Sequence, residues 1–193
     1  MPKLIRITTV PLSLNVLLPG QMRYMHEHGF DVLMVAGEGK DWAEVIAREQ
    51  CRHQQVPMTR KMTPVADIRS LWMLYRLFRK EKPDIVHSHT PKAGLLAMMA
   101  AKMAGVKIRI HTIAGLRFMT STGSTRKLLV AMEKLTGWAA THVWPNSFSL
   151  LEYVTVHKLV TPRKLEVIGK GSSNGIDLSR YHSLLSPSRL VRP

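Results

Sequence analysis

Residues 84–112, DIVHSHTPKAGLLAMMAAKMAGVKIRIHT, hold one complete strand–helix–strand unit. The run 84–88 is short, apolar and β-branched, and reads as a strand. Thr90-Pro91 follows it, a hydroxyl residue before a proline at the first helical position, which opens a helix. The Ala-rich helix over 92–104 ends at Gly105, a residue that takes the left-handed conformation closing many helices. A second apolar run, 107–112, reads as the next strand. Two strands joined by a helix of this length run parallel, with a right-handed crossover.

The same alternation extends in both directions. Strands are expected at 3–9, 31–36, 52–56, 84–88, 107–112, 141–144 and 164–168, mostly apolar, as strands covered on both faces are. Helices are expected at 14–28, 42–50, 66–82, 92–104, 124–139 and 149–158. They carry apolar residues at three- and four-residue spacing, as in Leu71, Leu74, Tyr75 and Phe78. Lys82-Pro83 ends the third helix before the fourth strand. This pattern makes an α/β fold, a single Rossmann-like doubly wound parallel sheet whose ligands bind at the carboxyl ends of the strands. From Gly169 to Gly175 the residues have turn chemistry and little to bury. The chain is therefore expected to divide into a domain over 1–170 and a linker over 171–193, where a second domain would begin.

Composition narrows the function. The 193 residues suffice for one domain with its own core. Lys+Arg number 28 against 13 Asp+Glu, a net charge of +15, yet 45% apolar and 21% charged residues exclude a disordered basic tail. The one cysteine, Cys51, cannot close an internal disulfide, so a reducing, cytoplasmic setting is expected. The best uninterrupted apolar run, 94–101, is far shorter than the roughly 18–20 residues of a bilayer span. The apolar stretch 10–18 is broken by Pro11, Ser13 and Asn15 and lacks a small-residue cleavage site, which argues against a secretory leader.

From Ile85 to Met132 there is no acidic residue, while Lys92, Lys102, Lys107, Arg109, Arg117, Arg126 and Lys127 are all basic. Positive charge unbalanced beside a cleft steers phosphates, nucleotides or anionic lipid surfaces toward it. As a plain solvated face it would need no partner. The helix over 66–82 sets Trp72 and Tyr75 beside Arg76, Arg79 and Lys80, which suits a membrane interface as well as ordinary core packing. Aromatic residues make up 6% and no nucleic-acid recognition motif is present, so no nucleic-acid partner is expected.

Several residues fall at the carboxyl ends of the expected strands. His89, Thr90 and Lys92 stand where a helix N-terminus aims free N–H groups above the sheet, a setting for a phosphate or a sugar hydroxyl. Thr90 alone as a cap, with Lys92 in solvent, is the simpler alternative. Gly20 allows backbone to approach a ligand and Gln21 can hydrogen-bond it. Gly115 and Arg117 lie on a loop that can close over a substrate and clamp a phosphate. His87 and His89 share one strand face, but no spaced Cys, His, Asp or Glu set completes a metal site. Neither G-x-G-x-x-G nor G-x-x-x-x-G-K-[ST] occurs, so a nucleotide cofactor is not expected.

Together, the segment from Asp84 to Leu96, the following Ala104-Gly105-Val106-Lys107 and Ile110-His111-Thr112-Ile113-Ala114-Gly115-Leu116, Trp144-Pro145-Asn146-Ser147, and Gly171-Ser172-Ser173-Asn174-Gly175-Ile176-Asp177 resemble the N-terminal domain of retaining family-4 glycosyltransferases of the GT-B fold. The resemblance covers nearly the whole chain and is nearest to bacterial enzymes of capsule, exopolysaccharide or lipid-linked glycan synthesis. It implies an acceptor-side domain facing a second Rossmann-like domain that holds a nucleotide-sugar, a UDP-sugar above all. Gly20, His89, Lys92, Gly115 and Arg117 would then line the cleft, and Gln21, Thr90 and His111 complete the expected substrate- or phosphate-binding set. Ala114 stands where many members have histidine, and His111 lies three residues earlier. The paired glutamates that contact the donor belong to the second domain, so this chain by itself is expected to bind acceptor weakly and transfer little. The implied partners are a nucleotide-sugar, a lipid-linked saccharide and the anionic inner face of the cell membrane, with no metal or cofactor. A stand-alone, non-catalytic domain that binds anionic glycan, a membrane surface or a partner chain is the competing function class.

Overall fold

The computed structural model describes residues 1–116, 119 and 121–172. Six parallel strands form one sheet in the order β3-β2-β1-β4-β5-β6. They are β1 (Lys3–Ile7), β2 (Asp31–Ala36), β3 (Arg52–Gln55), β4 (Ile85–Ser88), β5 (Ile108–Ile113) and β6 (His142–Pro145). Helices α1 (Pro11–Leu17), α2 (Gln21–Glu27) and α3 (Trp42–Glu49) cover one face. On the other lie α4 (Pro64–Glu81), α5 (Pro91–Ala104), α6 (Gly123–Ala139) and α7 (Phe148–Val156). This is the doubly wound α/β arrangement expected, and its strand order reverses between β1 and β4.

The two cores follow from strand alternation. Leu4, Val32 and Met34 point one way, onto Leu14, Leu18, Met22, Trp42 and Val45. Ile5, Ile7, Leu33, Val35 and Val86 point the other way, onto Leu74, Phe78 and the small residues of α5. Ala93, Gly94, Ala97, Ala100 and Ala101 are buried, so α5 sits closer to the sheet than a Leu-rich helix would.

Four expectations are corrected. The helix foreseen at 14–28 is two helices, because Pro19 brings no N–H and Gly20 takes φ 75°. The buried Glu49 carboxylate caps the second of them, accepting from Gly20 N at 2.7 Å and Arg23 N at 3.1 Å. The strand foreseen at 164–168 shrinks to one bridge between Val143 and Leu165, since Leu165 N instead closes a 3₁₀ turn over Pro162–Lys164. In that turn the Lys164 ammonium donates to the carbonyls of Gly137, Trp138 and Ala140 and so caps the C-terminus of α6. β3 is exposed along its length rather than apolar, as a sheet edge can be. Finally, the Thr90 hydroxyl does not cap α5: it accepts from Thr9 N and bonds Thr9 Oγ1, and the Thr9 hydroxyl accepts from Ala93 N.

Candidate functional site

At the carboxyl ends of the neighbouring strands β1 and β4, where the strand order reverses, lies a cavity of about 190 Å³. Arg6 of β1, His87 and His89 of β4 and its exit, Thr112 of β5 and Trp144 of β6 form its floor. Gln21 and residues of the 168–172 segment, including Ile168, Gly171 and Ser172, form its rim. The floor residues share one face of the sheet because parallel neighbours in register point the same way: Arg6 opposes His87, and Thr112 opposes Trp144.

Hydrogen bonding fixes the chemistry of this floor. Arg6 Nη1 lies 2.8 Å from His89 Nε2, and a guanidinium only donates, so His89 Nε2 accepts and its proton sits on Nδ1. His87 Nε2 bonds Thr112 Oγ1 at 2.8 Å, and the His87 and His89 rings lie 4.0 Å apart, tilted by 34°. Burial, then the neighbouring positive groups, holds both histidines well below their ordinary value, so they are neutral near pH 7. Burial also lowers Arg6, to about 10, which leaves it charged. The fixed cation beside the rings disfavours a metal ion, and among the described residues no group of three His, Cys, Asp or Glu is placed to hold one.

A second, more open cleft of about 390 Å³ adjoins the first across His89. Its walls are Leu17, Thr90, Pro91, the β5 exit from His111 to Leu116, and Glu133 of α6. His111 is buried, bonds Ser88 Oγ through Nδ1 at 2.8 Å, and is lowered to about 4 by burial. Burial pushes the Glu133 carboxyl the other way, up to about 7.

The residues singled out from sequence do not all converge. His89 and Gln21 line the first cavity, and Thr90, His111 and Gly115 line the second. Gly20 borders a shallow groove that shares Arg6 and Gln21 with the first cavity, but its N–H is taken by Glu49. Lys92 is buried and points away: its ammonium pairs with Asp67 at 2.6 Å and donates to Lys61 O and Thr63 Oγ1, tying α5 to the start of α4. The α5 terminus offers few donors to an anion, because Pro91 has no N–H and Ala93 N is bonded to Thr9. Arg117 falls outside the described residues.

Sequence reasoning passed over Arg6, Thr112, Trp144 and Glu133. A charged residue within the apolar run Lys3–Ile7 was the available signal for Arg6. Glu133, the first acid after the acid-free stretch, was the signal for the second cleft.

The chain is also similar to known proteins. A family model described as a glycosyl transferase 4-like domain matches residues 15–171. The capsular polysaccharide biosynthesis glycosyltransferase CapM of Staphylococcus aureus is 36% identical over a 200-residue alignment, which takes in 98% of this chain and 52% of CapM. The UDP-Gal:alpha-D-GlcNAc-diphosphoundecaprenol alpha-1,3-galactosyltransferase of Escherichia coli is 30% identical over 183 residues, 94% of this chain and 44% of that protein. The chain thus spans about half the length of the curated relatives it matches. A crystal structure of a glycosyltransferase from Rickettsia africae ESF-5 shares the fold with a TM-score of 0.65 at 14% identity, over 98% of this chain and 46% of that one.

Proposed function

Because the chain belongs to the glycosyl transferase 4-like family, we propose that it forms the acceptor-side half of a retaining glycosyltransferase acting on a lipid-linked or capsular saccharide. The reading rests on one observation: two adjoining cavities at the carboxyl ends of β1, β4, β5 and β6, joined at His89 and bordered by the segment that leaves the domain. The donor in this reading is a nucleotide-sugar, a UDP-sugar as in the name of the Escherichia coli relative. Residues 1–170 are the acceptor domain and 171–193 the linker, a division supported by the family match ending at residue 171.

Retaining transfer needs the departing diphosphate stabilised in a cleft closed to water. This wall contributes a buried cation at Arg6, a neutral His89 with a donor at Nδ1–H, and the open backbone at Gly115, where an added Cβ would meet nothing within 4 Å. Donor contacts fall to a second domain in this reading, so one wall binds and orients without completing the site. The purified chain is therefore expected to transfer galactose from UDP-galactose to a GlcNAc-diphospholipid far more slowly than about 1 per second. The acceptor alone should still perturb the His89 and Trp144 ring signals. Turnover of about 1 per second or faster rejects the half-site reading, and unmoved ring signals reject the acceptor-side assignment.

A peripheral contact at the inner face of the membrane accompanies this reading. On α4, Ser70, Leu74 and Phe78 face the core, while Val65, Ile68 and Trp72 are 84%, 68% and 54% exposed and flanked by exposed Arg69 and Arg76. Apolar anchors beside basic residues suit an anionic bilayer surface. Among the described residues no helix is long and apolar enough to cross a membrane. The chain should sediment with anionic vesicles and not with neutral ones, and Trp72→Ser with Ile68→Ser should release it. Equal, negligible binding to both vesicle types removes the idea.

A further inference from the structure

Arg6 is the one buried guanidinium on the floor of the first cavity, 8% exposed, and among the described residues no carboxylate pairs with it. Its Nη1 is spent on His89, but its Nε, although buried, has no acceptor. Trp144 Nε1 is in the same condition, with the indole held edge-on against His87 at 5.0 Å. Both side chains line the same cavity. A buried donor without an acceptor is costly, and a buried charge without a counter-charge more so. A neutral sugar hydroxyl would satisfy the two N–H groups and leave the charge unbalanced. A metal ion would add to the positive charge already there. An oxyanion answers both needs, because charge-assisted hydrogen bonds are the strong ones. At about 190 Å³ the cavity has room for a phosphate-sized group.

We infer that the cavity between β1, β4 and β6 is a phosphate-binding site in which Arg6 and Trp144 are the ligand-contacting donors. His89 fixes the guanidinium in place by accepting from Nη1, and His87 positions the indole. The site rests on the acceptor-side reading only for which phosphate enters it: one linking a saccharide to its lipid, or one belonging to a nucleotide.

The test uses the full chain, labelled with nitrogen-15, and inorganic phosphate at neutral pH and constant ionic strength. Of the four indole N–H signals, that of Trp144 should move and saturate with phosphate, while those of Trp42, Trp72 and Trp138 stay in place. Glucose should move none. Trp144→Phe keeps the ring and removes the donor, and should weaken phosphate binding about tenfold, equal to about 1.4 kcal/mol. Arg6→Gln should abolish binding; where that variant fails to fold, Trp144→Phe still decides. A Trp144 signal indifferent to phosphate, equal phosphate affinity in Trp144→Phe, or an equal response to glucose overturns the assignment. Competition by a short prenyl diphosphate rather than UDP supports the site and gives an acceptor-side source; the reverse supports it with a donor-side source. No sugar transfer is read, so a failure here leaves the transferase reading intact, and a failed transfer assay leaves the phosphate site intact.

Discussion

Gly94→Ala is expected to lower stability by about 2–3 kcal/mol, the upper part of the range for overpacking a filled core. A Cβ on Gly94 would lie 2.7 Å from His111 Nδ1 and closer still to Cε1. The imidazole has nowhere to retreat: it is 3% exposed and bonded to Ser88. The helix must therefore lift, and α5 is the central helix of its layer, buried along Ala93, Ala97, Ala100 and Ala101. At about 2–4 °C per kcal/mol for a chain of this size, the melting temperature should fall by about 5–10 °C. A double variant, Gly94→Ala with His111→Ala, supplies the missing space and should recover part of the loss, because the two positions are in contact. Unchanged melting in the single variant would mean that α5 does not rest on this ring.

Mild acid is the second strong perturbation. In the unfolded chain each imidazole takes up a proton near 6.5; folded, His111 does so only near 4, and His87 and His89 well below their ordinary value. The unfolded state therefore binds more protons between about pH 6.5 and 4. Stability is fully present above that window and declines as pH falls through it. His111 alone accounts for about 2 kcal/mol of loss at pH 5. Glu133 works in the opposite sense. Its folded value of about 7 lies above its ordinary 4.5, so its contribution is present in acid and is lost as pH rises through that interval. One raised carboxyl offsets about one of the three depressed histidines, and the net change on acidification is a loss. Urea midpoints near pH 7 and near pH 5 measure it, with the lower midpoint expected in acid. A midpoint that holds or rises at pH 5 would show that these rings reach solvent and titrate normally.

The buried histidines also show how far the sequence could be read. His87, Ser88 and His89 were visible as consecutive polar residues at a strand end, and alternation alone puts the outer two on one face and Ser88 on the other. Spacing did not reveal that the two faces have different fates. His87 and His89 enter the cavity with Arg6, while Ser88 turns into the α5 layer to hold His111. Thr90-Pro91 marked the helix start correctly, yet the hydroxyl that satisfies Ala93 N comes from Thr9, two residues past the end of β1 and 81 residues away from Thr90. Lys92 carries the charge expected near a cleft and spends it on Asp67 of α4.

Local pattern by itself determined the alternation of strand and helix, the ends of α4 and α5 and the parallel, doubly wound sheet, because periodicity, proline and glycine act within a few residues of chain. The motifs of residues 84–116 and 144–147 also carried the family, since the similarity is written in the order of residues. Tertiary structure decided which polar groups are available. Whether an N–H or a charge remains for a ligand depends on partners brought from distant elements: Glu49 takes Gly20 N, Asp67 takes Lys92, and nothing described takes Arg6 Nε or Trp144 Nε1. A side chain's identity is a property of the sequence; whether its hydrogen bonds are already spent is settled only when the strands are side by side.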